Sequence, residues 1–218
     1  QQVGQHSIKA GTPTMGGLIV LLSLLLPTLL WAKMLNWYVI LIFITTFGLG
    51  MVGFLDDYLK VVKKKPKGLI GKYKLVGQIL IGLFVGCVIY FFPDLFGRNF
   101  EELESLTTVP FSKNYNIDFG LLYIPLVIFI ITATSNAVNL TDGLDGLAIG
   151  TVGISVLGLA IITYFSGNAT FADYLNIMFL KGSAELTIFA AALVGAALGF
   201  LWYNSYPAQV FMGDTGSL

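Results

Sequence analysis

Apolar residues run in long stretches along this chain, and polar residues collect in the short segments between them. Six stretches stand out, at 15–35, 37–55, 75–92, 121–140, 146–165 and 186–203. All are rich in Leu, Ile, Val, Phe, Gly and Ala and carry almost no charge. A helix needs ~20 mostly apolar residues to cross a bilayer, and backbone groups in hydrocarbon must pair internally. The pattern therefore predicts an all-α fold, a polytopic transmembrane helix bundle of about six spans. The ~10-residue alternation of a β-barrel strand is absent.

Composition strengthens this reading. The 218 residues are 56% hydrophobic and 11% charged, where a soluble domain carries roughly 25% charged residues. The chain reads as a single transmembrane domain over 1–218, with membrane lipid as its surroundings and no nucleic-acid partner. Net charge is zero, yet the charges are segregated. Segment 56–74 carries Lys60, Lys63, Lys64, Lys65, Lys67, Lys72 and Lys74. Segment 93–120 carries Asp94, Glu101, Glu102, Glu104 and Asp118 against Arg98 and Lys113. The positive-inside rule makes 56–74 cytoplasmic. Alternation then turns 1–14, 141–145 and 204–218 inward, and turns position 36, 93–120 and 166–185 outward. The outer 93–120 loop reads as solvated, with a small hairpin around Lys113 to Asn116. The single cysteine, Cys87, lies in an apolar run and allows no disulfide within the chain. The chain opens on Gln and closes on GDTGSL, so both ends read as cuts inside a longer protein.

The topology changes the meaning of five aspartates. Asp56 and Asp57 (GFLDDYLK), Asp142 and Asp145 (NLTDGLDG) and Asp214 (VFMGDTGS) all fall on inner segments, whereas every glutamate falls outside. Carboxylates at the edge of apolar spans are costly and mark function by default. Asp56 and Asp57 close the second span, where negative charge opposes the helix macrodipole and calls for a cation. Adjacent helical residues point about 100° apart, so one metal is not expected to take both as equal ligands. They read either as a division of labour, one near a metal and one near a reacting group, or as a helix-end pair balanced by the following lysines. Asp142 and Asp145 are spaced i, i+3 and share a face if helical. Asn136 and Asn139 precede them at the same spacing, either holding substrate or making a polar helix–helix contact. Asp214 sits among small residues, in the manner of an anion-binding turn beside a metal ligand.

Lys9, Lys60, Lys72 and Lys74 flank the inner face and can meet phosphates; Lys72, at a helix start beyond the lysine run, is a better candidate than Lys63 to Lys67. Lys63 to Lys67 read as topology setters that attract anionic lipid. Thr12-Pro13-Thr14 forms a rigid turn into the first span. Carboxylates with lysines at a membrane edge predict Mg²⁺ and a phosphorylated substrate, because Mg²⁺ prefers oxygen ligands and joins carboxylates to phosphates. A calcium loop, a Cys/His zinc site and a Ser-His-Asp triad are all unsupported; the one histidine, His6, reads as solvated.

Four strings carry a resemblance: KAGTPTMGG (9–17), GFLDDYLK (53–60), SNAVNLTDGLDGLA (135–148) and NSYPAQVFMGDTGSL (204–218). They resemble the polyprenyl-phosphate N-acetylhexosamine-1-phosphate transferase superfamily, and within it the phospho-N-acetylmuramoyl-pentapeptide transferase branch. The resemblance implies a Mg²⁺-dependent enzyme of peptidoglycan synthesis acting at the cytoplasmic face. It would move phospho-MurNAc-pentapeptide from UDP-MurNAc-pentapeptide to undecaprenyl phosphate, releasing UMP and forming lipid I. It implies Asp214 as metal ligand and Asp56, Asp57 and Asp214 as the catalytic carboxylates. Lys9, Thr14, Lys60, Lys72, Asn136, Asn139, Asp142, Asp145 and Phe211 would contact substrate, with Phe211 offering its ring to the uracil. A homodimer is also implied. The branch has about ten spans and a histidine-rich loop near its C-terminus, so this stretch is expected to be inactive alone. A sister enzyme using UDP-GlcNAc is the nearest alternative. A cation transporter would place ionisable groups deep within its spans, and a membrane scaffold leaves the five aspartates without a role.

Overall fold

The computed structural model describes residues 12–65, 68–97, 100, 103–108 and 116–218. His6 and Lys9 lie outside the described residues, as does the centre of the expected hairpin. The elements are α1 (Gly17–Trp31), α2 (Trp37–Val61), α3 (Gly71–Phe91), β1 (Leu106–Thr108), β2 (Asn116–Asp118), α4 (Tyr123–Thr141), α5 (Leu147–Ser166), α6 (Ala169–Leu175), α7 (Leu186–Asn204) and α8 (Asp214–Ser217). Among the described residues, α2, α3, α4, α5 and α7 are long and apolar enough to cross a membrane, and α1 is a shorter apolar helix.

Two of the expected spans change. The first, read as 15–35, is only 15 residues of helix, or ~22 Å at 1.5 Å per residue against the ~30 Å of hydrocarbon. The backbone turns extended at Ala32. Asn36 then opens α2 by accepting a hydrogen bond from the Tyr38 N–H at 2.9 Å. The second, read as 37–55, continues to Val61 over 25 residues. Asp56, Asp57 and Lys60 therefore lie on the last turns of α2, not in an inner loop. Hydrophobicity ends before the helix does, because bonds made by the two carboxylates replace the missing apolar burial.

Helices α3 and α4 pack face to face. Gly82 and Gly86, one turn apart on α3, permit the approach: a Cβ at Gly82 would lie 2.9 Å from Ile128 Cα, and at Gly86 3.3 Å from Ile124 Cα. Small residues at such a seam are how helices gain contact where lipid removes the hydrophobic drive. Helix α7 packs on α1 and α5. Val20, Ala148, Ile149, Ala197, Phe200 and Met212 form the buried core between them. Large apolar side chains such as Leu30, Phe129, Ile154 and Leu198 face outward. In water such a surface would drive association; here it suits a hydrocarbon solvent.

The two ends of the bundle, called outer and inner after the orientation expected from charge, are assembled differently. At the outer end Asn36 Nδ2 donates to the Gly182 carbonyl at 2.9 Å, and Tyr38, Phe96 and Phe100 form an aromatic cluster. Strands β1 and β2 pair antiparallel from Leu106↔Asp118 to Thr108↔Asn116, flanking the expected turn. At the inner end residues 13–17 run alongside 211–212. Phe211 N donates to the Pro13 carbonyl at 2.9 Å, and Gly16 N and Gly17 N donate to Phe211 and Met212 at 2.9 and 2.7 Å. Buried Met212 anchors the returning chain in the core.

Candidate active site

The site is built around the short helix α8. Gly213, at φ +74°, turns the chain into it, a conformation that L side chains rarely adopt. Helix α8 lies against the backbones of α1 and α2 at two glycines. A Cβ at Gly17 would overlap the Gly216 backbone, and one at Gly53 would overlap the Asp214 carbonyl. One turn beyond Gly53, Asp57 receives α8 directly. Its Oδ1 accepts from the Asp214 N–H at 3.1 Å. Its Oδ2 accepts from the Thr215 N–H at 2.8 Å and the Thr215 hydroxyl at 2.5 Å. A carboxylate on free backbone N–H groups at a helix start is a charge-assisted cap, so Asp57 sets where Asp214 stands.

Asp214 then faces Asp56. Lys60 Nζ lies 2.5 Å from Asp56 Oδ2 and 2.6 Å from Asp214 Oδ2. Lys74 Nζ lies 3.0 Å from Asp56 Oδ2 and 2.6 Å from Asp214 Oδ2. Two ammonium groups thus share the same two carboxylate oxygens. The other oxygens are held by neutral donors: Asp56 Oδ1 by the Leu69 N–H at 2.5 Å, and Asp214 Oδ1 by Asn139 Nδ2 at 2.9 Å. Asn139 also donates to Ser217 Oγ at 2.8 Å, fixing α4 to α8. Burial alone would raise the pKa of Asp214. The hydrogen bonds donated by Lys60, Lys74 and Asn139 outweigh it and hold this carboxyl well below the usual carboxylate range. The cation that the acidic end of α2 calls for is supplied by Lys60 and Lys74.

Asp142 and Asp145 do not share a helical face. Helix α4 stops at Thr141, Asp142 is its C-cap, and Gly146 at φ +76° breaks the path before α5. The glycines turn the chain where i, i+3 spacing implies a continuous helix. Both carboxylates instead meet the returning 205–213 segment. Asp142 accepts from the Gly213 backbone, and Asp145 Oδ2 accepts from the Ala208 N–H at 3.3 Å. Burial first, then the nearby charge of Asp214, pushes Asp142 up to about 6.

The remaining candidates divide. Asn136 bridges helices: its Nδ2 donates to Gln78 Oε1 at 2.8 Å, and buried Gln78 donates to Ser135 Oγ at 2.9 Å. Thr14 is exposed on the turn that pairs with 211–212, and Phe211 is half-buried on that paired strip. Lys72 is exposed and makes no ion pair among the described residues. Lys74 takes the central position, not Lys72 at the helix start. The helical period held the signal, because Lys74 and Gln78 are i, i+4 on the inward face, while Lys72 lies about 160° away. Asn204, by contrast, lacked a sequence signal. Buried, it accepts from the Gly146 N–H at 3.1 Å and donates to the Val210 carbonyl at 2.8 Å, joining the two inner turns.

The residues fit a divalent cation. One oxygen from each of Asp56, Asp57 and Asp214 lies within 4.8 Å of the other two, closer than the divergence of adjacent helical residues implies. Asp56 Oδ2 is buried and accepts no hydrogen bond, although two ammonium nitrogens flank it. An all-oxygen, carboxylate set suits a hard cation. Asp57 has least to offer, since three donors already occupy it.

The family model for glycosyl transferase family 4 matches residues 39–218. The phospho-N-acetylmuramoyl-pentapeptide-transferase signature 1 matches residues 9–21. A phospho-N-acetylmuramoyl-pentapeptide-transferase of Flavobacterium psychrophilum is 49% identical over 245 residues, covering 96% of this chain and 60% of that protein. One from Salinibacter ruber is 52% identical over 226 residues, covering 98% and 57%. One from Chlorobium chlorochromatii is 53% identical over 214 residues, again covering 98% and 57%. The chain spans about three fifths of the length of the curated relatives it matches.

Proposed function

The chain belongs to glycosyl transferase family 4, and from that premise we propose that it carries the inner-face chemistry of a lipid I synthase. In this reading the whole enzyme moves phospho-MurNAc-pentapeptide from UDP-MurNAc-pentapeptide to undecaprenyl phosphate. A lipid phosphate oxygen bonds to the sugar-bearing phosphorus, the bridge to the uridylate phosphate breaks, and UMP leaves. The observation that carries the reading is the meeting of Asp56, Asp57 and Asp214 at one end of the bundle. The signature over 9–21 favours this donor over UDP-GlcNAc.

Asp56 and Asp214 would hold Mg²⁺ through the oxygens that face the lysines. Bound there, Mg²⁺ would neutralise the diphosphate and the developing charge on the leaving uridylate. Phosphoryl transfer asks mainly for positioning and charge neutralisation, and the protein groups fall into those roles. Asp57 positions Asp214 through its backbone N–H, and Asn139 orients its carboxylate. Lys60, Lys72 and Lys9 meet phosphate oxygens, while Thr14, Asp142, Asp145 and Phe211 line the nucleotide-sugar side. Asn136 supports that wall through Gln78. Exposed Lys63, Lys64 and Lys65 beside the α2 terminus support a cytoplasmic orientation in a bacterial inner membrane. The family resemblance supports a homodimer.

The test is UMP release by the full-length protein with undecaprenyl phosphate and each donor in turn. Turnover with UDP-MurNAc-pentapeptide and at least ~10²-fold less with UDP-GlcNAc is expected, since a site built around a larger substrate wastes binding energy on a truncated one. Equal turnover with UDP-GlcNAc would assign the chain to the sister reaction.

A further inference from the structure

We propose that Lys60 and Lys74 form a counter-ion clamp that occupies the metal position when no metal is bound and is displaced from it by a divalent cation. The inference rests on the metal reading of Asp56 and Asp214 above. Both ammonium groups touch the same two oxygens, Asp56 Oδ2 and Asp214 Oδ2, at 2.5–3.0 Å. A cation coordinated by those oxygens would sit ~2.0–2.1 Å from each, inside the space the nitrogens fill. The two occupancies therefore exclude one another.

The clamp has a physical reason. The Asp56 side chain is 0% exposed and that of Asp214 16%. Two carboxylates this close and this dry repel unless a cation lies between them. Lysine is the residue for the task because its charge is compact and its stem flexible. The Lys60 and Lys74 side chains are 37% and 19% exposed, so each has an outward path. Lys60 comes from the last turn of α2 and Lys74 from the first turns of α3, so the clamp also ties these helices together. When displaced, both ammonium groups remain tethered beside the cation, where phosphate oxygens would meet them.

The clamp makes metal affinity and metal-free stability move in opposite directions. Full-length protein and its Lys74→Met variant, which keeps the stem and removes the charge, are titrated with Mn²⁺ by electron paramagnetic resonance and melted in EDTA. Lys74→Met is expected to bind Mn²⁺ at least about fivefold more tightly, the lower end of typical coupling between linked sites, and to melt earlier in EDTA. Lys74→Arg keeps the charge and should leave both quantities near those of the unaltered protein. Amine labelling of unaltered protein, read by mass spectrometry, needs no variant: labelling of Lys74 should rise severalfold when Mn²⁺ is added. Unchanged or weakened Mn²⁺ binding by Lys74→Met, or labelling that Mn²⁺ does not raise, overturns the clamp. Absence of Mn²⁺ binding by the unaltered protein would instead sink the metal reading, and the clamp with it.

Discussion

At the outer end of the bundle, Lys33 meets Glu185 at 3.0 Å with the lysine side chain 79% exposed. At the inner end, Lys60 and Lys74 meet Asp56 and Asp214 at 2.5–3.0 Å, with Asp56 fully buried. The distances are alike and the consequences are not. The outer pair gains little, because solvent screens it and side-chain entropy opposes it. The inner group gains little net stability either, since desolvation offsets attraction. Removing one inner partner, however, strands a buried charge. The outer end closes a loop, whereas the inner end holds a strained balance of charge that a cation or a phosphate can shift.

Substitutions can break this contrast at graded cost. The largest loss is expected at Gly53→Val, whose side chain would overlap the Asp214 carbonyl. Separating α8 from α2 should cost more than ~4 kcal/mol, seen as failure to recover folded, monodisperse protein from detergent. Asp57→Asn follows. It leaves three donors facing a neutral amide, at about 2–4 kcal/mol. Its signature is a fall in melting temperature together with a Mg²⁺ requirement displaced to higher concentration, since Asp214 loses its mount.

A smaller effect comes from pH. Asp142 sits near 6 in the folded protein against 3.8 ordinarily, so the folded state holds its proton more tightly than the unfolded state. Stability from this group is full below about pH 4 and is lost as pH rises through about 6. Melting curves in EDTA between pH 5 and pH 7.5 should therefore fall more steeply for the unaltered protein than for Asp142→Asn. The smallest effect is expected at Lys33→Ala, within about 0.5 kcal/mol by denaturant or thermal melting. A loss as large as that of Asp57→Asn would erase the difference between the two ends.

Much of this contrast is legible in the order of residues along the chain. Charge segregation shows that all three acidic strings reach one end, and the structure brings Asp56, Asp57 and Asp214 together there. The apolar pattern fails where polar bonds replace burial. It ends α2 at 55, but bonds at Asp56 and Asp57 carry the helix to Val61. It extends the first span past Trp31, where Asn36 is already capping α2. Spacing fails at Asp142 and Asp145, because Gly146 turns the chain. The choice of Lys74 over Lys72 depends on which face of α3 meets α8, a tertiary fact that the helical period shows only once Gln78 is known to be buried. The role of Asp57 as a cap was beyond sequence reasoning, since α8 lies 157 positions away in the chain.

The most direct test of the central claim is UMP release by the full-length protein across a Mg²⁺ titration, comparing the unaltered chain with Asp214→Asn. A shared carboxylate metal site predicts a rate loss on the order of 10²–10³-fold and a Mg²⁺ requirement displaced to higher concentration. Asp214→Asn turning over with an unchanged Mg²⁺ dependence would contradict it.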